Sequence, residues 1–125
     1  MSNDHEDYSV FAYDDKIPLV EKIARFTCLI DSMDSLSSKI KELWKQIYIN
    51  AVSDRANANI MYNDLMVQVL GKPQEHAIHA PNINKYIERM SKATDQLIKL
   101  AEMLSSAEEK TKEIDADDMY KQLQQ

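Results

Sequence analysis

From Leu19 onward the apolar residues return at alternating steps of four and three. Leu19, Ile23, Phe26, Ile30 and Met33 are followed by Ser37, then by Ile40, Trp44, Ile47 and Ala51. That spacing keeps one line of side chains on one side of an α-helix, whereas a half-buried strand needs period two, which this stretch lacks. The line reads as a coiled-coil seam with one polar member. Pro18 suits a first helical turn, where amides have no partner within the helix, and Asp15 is placed to cap them. A helix over about residues 18–50 is expected, reaching ~48 Å.

A second line of the same kind runs through Ile83, Tyr86, Met90, Ala93, Leu97, Leu100, Leu104 and Ala107. It predicts a helix over 82–110, beginning after Pro81 with Asn82 or Asn84 at the cap. Between the two, "NAVSDRANA" reads as a break, after which Ser53 or Asp54 caps a shorter helix over 54–70. Ala56, Ile60, Met61, Leu65 and Val69 supply its inward face. Gly71 suits the left-handed residue past its end, Pro73 stops it, and "GKPQEHAIHAPN" reads as a loop. The chain has one Gly and three Pro, too few turn residues for a sheet or sandwich. The fold class expected is all-α: a long antiparallel helical hairpin or small bundle with coiled-coil seams. The domain reading is an acidic, mobile segment over 1–17, a helical oligomerisation core over 18–110, and an acidic partner-binding tail over 111–125.

Leu29, Leu36 and Leu43 repeat at spacing seven beside the first seam. A helix with one partner needs only a narrow apolar line, and a widened face asks for a second partner. Each leucine left in water forgoes ~1.5–3 kcal/mol of burial. With Trp44 they are the expected contacts between helices or between subunits.

Charge narrows the function. The chain carries a net −6 with 29% charged residues, unlike a strongly basic nucleic-acid binder. Any phosphate contact must therefore come from a local stripe or an assembled surface. Lys85, Arg89, Lys92 and Lys99 fall at offsets of 0, 4, 7 and 14, on one face away from the apolar line. Lys39, Lys41 and Lys45 cluster on the first helix. Aligned copies would multiply such stripes into a phosphate-contacting surface. Alternatively they are a solvated face balanced by Glu88, Asp95 and Glu102.

Chemistry beyond binding finds little footing. Cys28 is the only cysteine, so no disulfide framework exists, and a reducing, intracellular setting is the plain reading. No apolar window is long enough to span a bilayer, and the acidic "MSNDHEDYSV" lacks the order of a signal peptide. His76 and His79 are one weak pair, short of the three or four ligands a metal needs. Gly71 alone cannot make a phosphate-cradling loop. No enzyme, cofactor or metal is expected. The chain ends on "EIDADDMYKQLQQ", acids interleaved with Met119, Tyr120 and Leu123. Asp115 is placed to cap a short helix that offers those three to a partner's groove; alternatively the segment is a frayed tail.

The order of these features resembles the small terminase subunits of tailed bacteriophages. It combines an acidic opening with an Asp-Tyr pair ("HEDYSV"), a long helix, a break ("SDRANA"), a returning helix with a leucine-rich end ("QLIKLAEML") and an acidic stub ("DADDMYKQLQQ"). The loop "GKPQEHAIHAPN" departs from the more continuous returning helix of some members. The resemblance implies a non-enzymatic component of viral genome packaging, acting in the cytoplasm of the infected host cell. It would form a homo-oligomeric ring of about eight or more copies, recognise double-stranded viral DNA, and regulate the motor and nuclease of the large terminase subunit. By position, Leu29, Leu36, Leu43 and Trp44 would lie at subunit contacts, and Lys85, Arg89, Lys92 and Lys99 would touch DNA. Asp117, Asp118, Met119, Tyr120 and Leu123 would engage the large subunit. The alternative is a dimeric helical adaptor or chaperone with no nucleic-acid role.

Overall fold

A computed structural model describes residues 8–12 and 16–124. Every regular element in it is helical: a short 3-10 turn Tyr8–Phe11, then α1 Leu19–Asp31, α2 Ser38–Val69 and α3 Pro73–Leu123. The last two form a long antiparallel hairpin, and α1 packs on α2 near the open end. The all-α expectation is met. The readings of Asp15 as a cap and of 1–7 and 13–15 as part of a mobile segment concern residues outside the described ones.

Four expected boundaries move. The first helix does not run from 18 to 50, because the chain turns at residues 32–37. Six of the eight residues 31–38 are Ser or Asp, whose side chains offer the backbone alternatives to helical bonds. Ser32 Oγ donates to the Leu29 carbonyl at 2.7 Å, and Ser37 Oγ accepts from the Ile40 amide at 3.3 Å, capping α2. The break expected at 51–54 is absent: α2 runs straight through, burying Ala51, Val52, Arg55 and Ala58. Three of the nine residues of "NAVSDRANA" are alanine, a good helix former. The third correction is at the hairpin tip. Pro73 starts α3 instead of only ending α2, because a first-turn proline gives up no helical bond. Helix then covers most of "GKPQEHAIHAPN", and Pro81 lies inside it, so neither Asn82 nor Asn84 is a cap. Gly71 takes the left-handed conformation expected, φ 73°.

At its far end α3 passes the expected stop near 110 and continues to Leu123. With 51 residues against 32 in α2, it is ~76 Å long and overshoots the start of α2 by ~28 Å. Thr111 Oγ1 lies 2.9 Å from Ser35 Oγ and donates to the Ala107 carbonyl at 3.0 Å, tying α3 to the α1–α2 link.

The core sits where α1, the proximal half of α2 and α3 meet. It contains Phe26, Ile30, Trp44, Tyr48, Ala51, Val52, Leu97, Leu100 and Leu104. Of the α3 seam expected from spacing, Ile83, Ala93, Leu97, Leu100 and Leu104 are buried, and Tyr86, Met90 and Ala107 are half-buried. The N-terminal turn closes this core. Val10 is buried, and Phe11 meets Phe26 and Tyr48 edge to face at 5.9 and 6.1 Å. Phe26 and Tyr48 stack at 4.1 Å. Tyr48 Oη donates to the Val10 carbonyl at 2.8 Å, satisfying both buried groups. Burial pushes the Tyr48 phenol up to about 12, opposed by the Arg55 guanidinium.

Candidate nucleic-acid interface

Helix α3 presents its basic residues on the flank turned away from the N-terminal turn. Thr94, Ile98, Ala101 and Ser105 line a shallow groove beside Phe11. Arg89, Lys92 and Lys99 lie roughly half a turn around the helix from that line, at 100° per residue. All four of Lys85, Arg89, Lys92 and Lys99 are exposed. Among the described residues, none of them is ion-paired, although Glu88, Asp95 and Glu102 follow Lys85, Lys92 and Lys99 by three positions. With fourteen steps from Lys85 to Lys99, the stripe is ~21 Å long, comparable with six base-pair steps of duplex at ~3.4 Å each. It can place cations along a polyanion, and it holds no group positioned for bond-making chemistry.

The lysines of α2 do not join it. Lys45 Nζ binds Asp31 Oδ1 at 2.7 Å, and Lys41 Nζ donates to the Asp31 carbonyl at 3.4 Å. Both cations fall at the C-terminal end of α1, where the helix dipole is negative, and there they fasten α1 to α2. Lys39 is exposed. The two basic clusters thus lie on different sides of the hairpin.

The leucines expected at subunit contacts separate as well. Leu29 and Leu36 pack half-buried against the chain's own core, and Trp44 is within it. Leu43 remains 54% exposed. The widened face is therefore partly taken up by the chain's own core, with Leu36 brought to it by the turn between α1 and α2. Asp117, Asp118, Met119, Tyr120 and Leu123 are exposed on the overshooting end of α3, not on a separate helix capped by Asp115. Cys28 is exposed on α1. His79 Nε2 lies 3.3 Å from Glu75 Oε2 in the first turns of α3. Among the described residues no cluster of three or more His, Cys, Asp or Glu is placed to hold a metal ion, and no helix is long and apolar enough to cross a membrane. No family model, curated protein or solved structure matches this chain.

Proposed function

We propose that this chain is a DNA-packaging subunit of the small-terminase kind: it assembles into a ring, binds duplex DNA through the α3 stripe, and engages a large motor subunit through the end of α3. The observation that carries the reading is the stripe itself, four exposed cations with no ion pair among the described residues, on one flank of a hairpin helix in a chain of net charge −6. Duplex phosphates supply what that flank lacks. The returning helix, continuous from Pro73, also brings the chain nearer to the family members whose returning helix is unbroken.

The test is binding of a short DNA duplex measured across a salt series. Wild type binds with an affinity that falls steeply with salt, because each phosphate contact releases counterions. Replacing Lys85, Arg89 and Lys92 together by alanine lowers the log–log slope by about 2.7, at ~0.9 per contact. An unchanged slope, or no binding at low salt, overturns the DNA reading. The net charge of −6 favours the second reading, a dimeric adaptor with no nucleic-acid role. Native mass separates the two: about eight or more copies supports the ring, and two copies the adaptor.

A further inference from the structure

The N-terminal turn sits in a seat that the helices build without it. Tyr8–Phe11 is four residues of 3-10 helix, too few to hold a helical shape without packing. Val10 plugs the seat: it is 2% exposed, and its carbonyl accepts from Tyr48 Oη at 2.8 Å. Phe11 sets its ring edge to face with Phe26 and Tyr48, which stack on each other at 4.1 Å. The seat thus selects an aliphatic–aromatic pair with the carbonyl between them turned to a phenol.

The seat is also larger than the turn that occupies it. A groove of about 300 Å³ continues past Phe11 along α3, lined by Thr94, Leu97, Ile98, Ala101, Glu102 and Ser105. Ile98 is 51% exposed. The groove gives chain arriving from another molecule a path into the seat. Residues 12–18 separate the turn from α1. Seven residues reach up to ~24 Å, about two helix diameters, enough to carry the turn to a copy packed alongside.

The occupant with the right chemistry is the one already seated. A second copy brings the same Val10–Phe11 pair on the same link, so exchange alters no contact within the seat. It alters only which chain the turn belongs to. Between copies side by side, a link this short holds each turn near a neighbouring seat at about millimolar effective concentration.

We propose that the Tyr8–Phe11 turn is exchanged between copies of this chain, with Val10 and Phe11 of one copy seated against Phe26 and Tyr48 of the next. Reciprocal exchange ties two chains into a dimer, and one-way exchange around a circle ties a ring. The inference therefore goes beyond the packaging reading and does not depend on DNA binding or on copy number.

Chemical linking between marked chains tests it. In a Cys28→Ser background, Ala12→Cys marks the turn and Ile98→Cys marks the groove, both at exposed positions. The two single variants are mixed, unfolded in urea, refolded together and treated with a short bifunctional maleimide. The expected product is a linked pair with one chain of each variant, and neither variant alone should give it. Adding Val10→Asp to the Ala12→Cys chain should cut that product to about a tenth or less, because a carboxylate is costly in an apolar seat. Phe11→Ala in the same chain provides the same test with a milder change, and helical circular dichroism checks that both variants fold. A chain carrying both cysteines is the reference for linking within one molecule. If that reference links internally while the mixture stays unlinked, each turn keeps to its own chain and the proposal is overturned. Linking of the mixture that survives both Val10→Asp and Phe11→Ala reports collision instead of seating, and overturns it as well.

Discussion

Replacing Tyr48 by phenylalanine should make the protein less stable at neutral pH and more stable in strong alkali. At pH 7 the loss is one buried hydrogen bond: Tyr48 Oη no longer reaches the Val10 carbonyl, 2.8 Å away. The carbonyl is left without that donor, and the cost is ~1–2 kcal/mol. The alkaline effect follows from linkage. The folded phenol titrates at about 12 against 10.0 for the free side chain, so above pH 10 the unfolded chain loses its proton first. A raised folded value means the contribution is fully present below pH 10 and disappears between 10 and 12. Integrated to pH 12, wild type gives up ~2 kcal/mol that the phenylalanine variant retains. The two stability curves should therefore cross near pH 11. Urea unfolding of both proteins at pH 7 and in steps from 9.5 to 11.5 reads this, and the other tyrosines and the lysines cancel in the difference. If wild type keeps the same advantage at pH 11.5 as at pH 7, the phenol is not held neutral by burial and the N-terminal turn is not fastened as described.

Two further outcomes test the hairpin's ends. At the tip, Gly71→Ala should cost ~1 kcal/mol in urea unfolding, because φ is 73° and a Cβ is strained there even with nothing within 4 Å. Gly71→Asn should cost less, and equal losses for both would mean that the tip relaxes. At the other end, deleting residues 114–125 should leave both the urea midpoint and the native mass unchanged, since the side chains described there are exposed. On the proposed packaging role, co-purification with a large motor subunit should be lost. Dissociation of the oligomer would instead make the end of α3 a structural element.

The inward line of α3 was readable because one rule controls it. That helix packs against neighbours along a single face, so apolar spacing maps directly to burial from Ile83 to Leu104. The start and stop signals were not readable, because the same residues serve both purposes. Ser and Asp at 31–38 end α1 and cap α2, but within an apolar rhythm they pass as tolerated polar positions. Pro73 ends one helix and begins another with equal ease. The phase of distal α2 was unreadable for a different reason. Apolar residues lie all around that segment, so spacing alone does not choose the inward line: Ile60 and Met61, expected inward, are exposed, while Ala58 is buried with Val69. Among site residues, the α3 stripe was legible from spacing alone. The use of Lys41 and Lys45 depends on Asp31 folding back beside them, which the local pattern does not encode.

The separation of these surfaces has a physical consequence for how they act together. The cations lie on one flank of α3, and the seat of the N-terminal turn lies on the opposite flank, beside Thr94, Ile98 and Ala101. Occupying one leaves the other open, so assembly and phosphate binding need not compete. They also respond to salt in opposite ways. Phosphate contacts weaken as counterions return to the duplex, while apolar burial strengthens in salts excluded from protein surface, such as sulfate. If copies assemble as proposed, they would gain binding by aligning their stripes. Loss of DNA at high salt with native mass retained is what two independent faces produce. A single shared face would lose both at once.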